Sequence, residues 1–165
     1  ARAISPRARP PPARKPCMIC CIDGSRKVPL LVTSEDVQLL TQVGFIAAGR
    51  ADVERAEAIF GALLAVRPRR AFAHVGLACA RMNAGDAGAA ARALERALPG
   101  VAEGEDADTV QAFLGLALQL DGRLGESRRV LQEVVRRAQP AEDNDGLRLA
   151  RRMLGEPQAQ AVAVT

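Results

Sequence analysis

The chain has 165 residues, 48% of them apolar, but 32 are alanine, four are Phe, and none is Trp or Tyr. Alanine is the strongest helix former and loses no side-chain entropy, so this mixture suits closely packed helices and disfavours a β-sandwich, which needs β-branched and aromatic residues. The net charge of +4 divides into +6 over residues 1–29 and −2 over residues 30–165, so the basic character belongs to a tail and not to a folded domain. With one His, two Lys and four Cys, few catalytic constellations can be assembled, and an enzyme is disfavoured. No run approaches the ~18 apolar residues of a membrane span.

Residues 1–32 read as a disordered Pro/Arg-rich tail. Six of the ten prolines fall in the first 29 residues, with Pro10-Pro11-Pro12 as a polyproline stretch that cannot form a helix. Those prolines also spoil the amphipathic helix of a transit peptide. The chain begins without Met, and one plain reading puts the true start at Met18. Cys17, Cys20 and Cys21 are spaced closely enough to suggest zinc, but a structural site wants four ligands. The other candidates, Cys79 and His74, are expected inside a helix, so no metal and no cofactor is assigned. Nucleic-acid binding by the basic tail is the weaker use of its charge.

From residue 33 the texture changes. Thr33 and Asp36 form a capping box that opens a helix through Val37, Leu40, Val43 and Gly44 to about Gly49. Asp52 starts a second, with Val53, Ala56, Phe60, Leu63 and Leu64 on one face until Pro68. Sliding the chain by 34 places Val43 on Leu77, Gly44 on Ala78, Ala56 on Ala90, Phe60 on Leu94 and Leu64 on Leu98. A further slide of 37 places Leu77-Ala78 on Leu114-Gly115, Gly85 on Gly122, Ala90 on Ser127 and Leu94 on Leu131. Three helical hairpins in phase are expected. The small residues mark where the two helices of each hairpin cross, since an approach of ~8–10 Å needs small side chains. After Pro140, Leu147, Ala150, Met153 and Leu154 share one helix face and Arg148, Arg151 and Arg152 the other, the pattern of a terminal capping helix. The expected domain spans residues 33–155, with a flexible tail over 156–165.

The remaining candidates for chemistry are weak. His74 reads as a packed or hydrogen-bonded histidine. Glu103, Glu105, Asp106 and Asp108 read as a solvated acidic loop, with Asp108 or Thr109 capping the next helix. Asp143-Asn144-Asp145-Gly146 has the look of a calcium loop, but Ala141 and Arg152 occupy positions that need acids. No catalytic residue is assigned.

The 34-residue pattern resembles the tetratricopeptide repeat over residues 37–140. The matches are Leu77-Ala78 and Leu114-Gly115, Gly85-Asp86 and Gly122 at the turns, Ala56 with Phe60, Ala90 with Leu94, and Pro68. His74 and Gln111 stand where a large aromatic is usual, the first turn is long after Gly49, and Ala102 and Gln139 replace the closing proline. The resemblance implies an all-α fold, a TPR-like solenoid of three hairpins plus a capping helix, with first helices lining a concave groove. Helical phase then places Thr41, Phe45 and Ala48 there from the first copy. The second supplies Phe72, Val75, Cys79 and Met82, and the third Thr109, Ala112, Leu116 and Gln119. The groove would hold an amphipathic helix of another protein; the same residues would serve a collapsed core or a homo- or heterodimer. The segment from Leu39 to Leu64 is similar to the first repeat of tetratricopeptide-type chaperones of bacterial type III secretion. That resemblance implies a cytoplasmic, non-enzymatic chaperone holding a small secreted or apparatus subunit, with no small-molecule substrate. A generic repeat adaptor is the alternative.

Overall fold

In the computed structural model, residues 33–138 and 143–156 are described. The expectations for residues 1–32, including Cys17, Cys20 and Cys21, for Gln139, Pro140 and Ala141, and for most of the C-terminal tail lie outside them.

The described residues form seven α-helices and no strand. They are α1 (Ser34–Gly49), α2 (Val53–Val66), α3 (Ala71–Asn83), α4 (Ala87–Ala97), α5 (Glu105–Leu120), α6 (Leu124–Arg137) and α7 (Asp145–Leu154). None is long and apolar enough to cross a membrane. The chain signals read for α1 and α2 act as anticipated. The Thr33 hydroxyl accepts from the Asp36 N–H at 3.1 Å, and the Asp36 carboxylate accepts from the Thr33 N–H at 2.9 Å. Asp52 caps α2, Asp86 caps α4, and Asn144 caps α7 by accepting from the Leu147 N–H at 2.8 Å.

The hairpin turns are more regular than their sequences. Each is three residues, at 50–52, 84–86 and 121–123. The middle residue has positive φ each time: Ala51 at 57°, Gly85 at 86° and Gly122 at 80°. The following N–H reaches back five residues, from Asp52 to Ala47 O, Asp86 to Arg81 O and Arg123 to Leu118 O, at 2.9–3.0 Å. This is the glycine-dependent helix stop, which satisfies carbonyls left open at a C-terminus. The first turn is therefore not long: Gly49 is the last helical residue, and Ala51 takes the glycine's place.

The third hairpin begins earlier than its acids suggested. α5 starts at Glu105 after Gly104, so Asp108 and Thr109 lie within it and do not cap it. Asp106 is no solvated loop residue either. It reaches the bare start of α3 and accepts from the Ala71 N–H at 2.7 Å, with Arg70 beside it at 3.3 Å. Asp108 accepts from the Asn144 amide at 3.0 Å, tying α5 to α7.

The odd helices pack in series, α1 on α3, α3 on α5 and α5 on α7, and each even helix packs on the odd helices before and after it. Between them lie three apolar clusters: Ala56, Phe60, Leu63, Ala73 and Ala80 around α1–α3; Ala78, Ala90, Leu94, Val110, Leu114 and Leu118 around α3–α5; and Leu131, Val134, Leu147 and Ala150 around α5–α7. Many of the alanines are spent here, in close crossings. A Cβ on Gly44 would come within 2.7 Å of the Phe60 ring, and one on Gly76 would overlap that ring outright. Phe60 is thus slotted between α1 and α3. Gly115 makes the same room for Leu131, and the buried Ser127 hydroxyl donates to the Gly115 carbonyl at 2.7 Å. Such interlocking leaves no slack, because interiors pack at the density of organic crystals.

Candidate functional site

Helices α1, α3 and α5 carry the residues assigned to the groove, and the structure sorts them. Phe45, Cys79 and Leu116 occupy one repeat position, and all three reach the surface, Phe45 with 38% of its area. The Phe45 ring meets Phe60 edge-on at 5.2 Å. Phe72 and Met82 are half-buried, each with one side against an apolar cluster. Cys79 touches the clusters on both sides of α3, so it sits over the seam between the first two hairpins. Burial pushes its thiol pKa up, which suits a small apolar contact better than a nucleophile.

Val75 and Ala112 are corrections. Both are interior, 5% and 0% exposed, in the clusters shared with the next hairpin. A stripe spaced three, four and three residues spirals over about 80° of a helix, enough to carry one edge under the neighbouring odd helix. Gln119 is exposed but belongs elsewhere. It lines a cleft of about 380 Å³ with Leu124, Arg128, Met153 and Leu154, where α5 and α7 end and α6 begins. Ala48 is buried, and its carbonyl accepts from the Asn83 amide at 2.9 Å, which ties α3 to α1.

The face that remains is defined by four repeat positions on each odd helix: residues 38, 42, 45 and 49 on α1; 72, 76, 79 and 83 on α3; 109, 113, 116 and 120 on α5. These share one side of each helix, being four, seven and eleven residues apart. They read Gln, Gln, Phe, Gly; Phe, Gly, Cys, Asn; and Thr, Phe, Leu, Leu. Not one is charged, in a chain that is 25% charged, where twelve ordinary surface positions would carry about three charges. Only Gly76 is buried, beneath Phe60. Phe113 and Leu120, the latter 59% exposed, were missed in the sequence. The spacing Thr109-Phe113-Leu116-Leu120 was there to find them, but Ala112 and Gln119 drew the stripe one residue aside.

The other candidates have structural duties. His74 Nε2 lies 3.1 Å from the Pro68 carbonyl, a local bond across the start of α3. Gly146 lets α7 approach the α5 backbone, since a Cβ there would come within 2.5 Å of the Thr109 nitrogen. Together with the Asn144 cap, this accounts for the Asn144 and Gly146 positions of the calcium-like run by packing. The surface ion pairs, such as Arg123–Glu126 at 2.6 Å and Arg81–Glu57 at 2.7 Å, are solvated and contribute little.

No family model matches the chain, and comparison with curated proteins and with solved structures likewise finds no match.

Proposed function

We propose that this chain is a non-enzymatic protein-binding module, a degenerate tetratricopeptide-like solenoid of three hairpins closed by α7. Its uncharged face on α1, α3 and α5 is a groove for an amphipathic helix of another protein. The single observation that carries this reading is the absence of charge from all twelve positions of that face. A face kept free of charge while it reaches water is the signature of a surface that is covered in use. The identical turns and the 34- and 37-residue periods support the repeat reading. Half-exposed Phe72 and Phe113 and the more exposed Leu120 supply apolar anchors.

Within that class, the reading favoured is a cytoplasmic chaperone of bacterial type III secretion that holds a small export-destined or apparatus subunit. It rests on the resemblance of residues 39–64 to the first repeat of those chaperones. A repeat adaptor of another pathway is the second reading. The test is capture from extract of the native cell by the full chain, followed by mass spectrometry. One small helical export substrate supports the chaperone; a mixed set of large partners supports the adaptor. Leu120→Asp and Phe72→Asp are expected to weaken capture by at least about tenfold, by placing a charge in a desolvated contact. Leu94→Asp is the unfolding control, since Leu94 is fully buried. Should Leu120→Asp and Phe72→Asp both capture the partner as the parent does, the face is not the site.

A further inference from the structure

The last hairpin ends in a cleft that no described helix fills. Gly146, the second residue of α7, lies against the Thr109 backbone of α5. The two helices run on from there side by side, since Gln119 near the end of α5 and Met153 and Leu154 at the end of α7 line one cleft. From Gly146 to Leu154 is about 12 Å of helix, and from Thr109 to Leu120 about 17 Å. α7 therefore stops about one turn short of α5. The cleft of about 380 Å³ opens there, over the first turn of α6, where Leu124 is 61% exposed.

Its walls include Leu124, Leu131, Met153 and Leu154, and its polar groups ask for little. The Ser127 hydroxyl already donates to the Gly115 carbonyl at 2.7 Å. Arg128 is the one charged residue of the described lining, and it is exposed, so its guanidinium stays in water. The chain leaves α7 at this same spot. Gly155 takes φ 76°, and the Glu156 N–H donates to the Arg151 carbonyl at 3.0 Å. The same stop ends α1, α3 and α5, and there it turns the chain back beside the helix it has left. Pro157 then bars any continuation of α7. Residues 157–165 read Pro-Gln-Ala-Gln-Ala-Val-Ala-Val-Thr, with no charge and five Ala or Val. Solvated tails are polar and charged, as residues 1–29 are with seven cations, whereas this composition favours burial.

We infer that residues 157–165 of the same chain cover this cleft, with Val162 and Val164 against Leu124 and Met153. The observations that select this occupant are the exit of the chain at the rim, the turn at Gly155 and the uncharged, apolar match between segment and walls. The stretch from Glu156 to Val162 reaches at most about 20 Å, ample for a cleft that begins at Leu154. The segment supplies the wall that one more turn of α7 would have supplied, in place of the flexible tail expected over 156–165. The inference stands apart from the binding reading of α1, α3 and α5.

Nuclear magnetic resonance on the full chain tests this, with circular dichroism melts as the fold control. Cross-relaxation is expected between the Met153 methyl group and the methyl groups of Val162 or Val164. Amide protection over residues 160–165, relative to the intrinsic exchange rate, is expected to reach at least about tenfold. Leu124→Asp places a charge in the cleft and is expected to bring that protection to within about twofold of none. The helices should melt as in the parent, because Leu124 is already mostly in water. Val162→Asp with Val164→Asp is expected to have the same effect from the other side of the contact. Leu39→Asp, equally exposed on α1, is expected to leave the protection unchanged. Residues 160–165 exchanging at intrinsic rates in the parent, with no contact to Met153, overturn the inference and leave the cleft to another protein. Protection indifferent to Leu124→Asp overturns it as well. Contacts that appear only on concentrating the protein belong to a second copy and overturn it too.

Discussion

Val43 and Leu114 occupy the same position of the first and third hairpins, yet 44% of Val43 is exposed against 4% of Leu114. Leu77, between them in the series, is half-buried. The side chain at this position points back toward the preceding hairpin. Leu114 finds α3 and α4 there, within the central cluster, and Leu77 finds α1 and α2. Val43 belongs to the first helix of the row, and its wall is missing among the described residues. The opposite end is finished differently. There α7 buries Leu147 and Ala150 against α5 and α6 and turns Arg148 and Arg152 outward. In a row of similar units, burial at a given position is set by which neighbour exists, and the end units reveal it.

The largest expected effect lies in that contrast. Leu114→Ala is expected to destabilise the fold by about 2–5 kcal/mol, through lost burial and the cavity left behind. Val43→Ala, at the same repeat position, is expected to change monomer stability by less than about 0.5 kcal/mol. Denaturant melts of the two variants at low concentration measure both. Equal losses would mean that the ends of the row are not different after all.

A smaller effect separates the turns. Gly85→Ala and Gly122→Ala place a side chain at positive φ, and each is expected to cost about 1 kcal/mol. Ala51→Gly makes the reverse change in the first turn. It relieves the same strain but adds unfolded-state entropy, for a net gain of about 0.5 kcal/mol. Opposite signs in one series of melts sharpen the comparison between the first hairpin and the others.

The smallest effect concerns pH. The Thr33 side-chain hydrogen bond, then its backbone one, lowers the Asp36 pKa below the ordinary carboxylate value. A depressed carboxylate adds stability that is fully present above its unfolded pKa, about 3.9. That stability is lost as the pH falls through the lower folded value. The α7 cap is the Asn144 amide, which does not titrate. Amide protection, taken relative to the intrinsic exchange rate at each pH, is therefore expected to fall at the first turn of α1 before the first turn of α7 as the pH drops below about 4. Asp36→Asn is expected to remove that difference in pH response.

Much of this was legible because it is local. A helix start is written in a few consecutive residues, so the capping box at Thr33, the Asp52 cap and the phase of the small residues at the crossings could be read directly. Other features join residues far apart in the chain. The Asp106 cap on Ala71 spans 35 residues, and nothing in the run from Glu103 to Asp108 announces it. Gly76 looks like an ordinary helical glycine until Phe60 arrives from α2 to fill its space. The groove stripe failed for a similar reason: helical phase put Val75 and Phe72 on one side of α3, but the position of α5 decided that Val75 would be covered and Phe72 left half open.

The sequence by itself determined that the described residues are helical, where several of the helices start and stop, and which pairs cross closely, because propensity, caps and a 3.6-residue period act within one or two turns. Tertiary structure alone decided which apolar residues reach water. Two apolar stripes on α1, one through Val37 and Ala48 and one through Leu39 and Ile46, part ways because another helix lies against the first alone among the described residues.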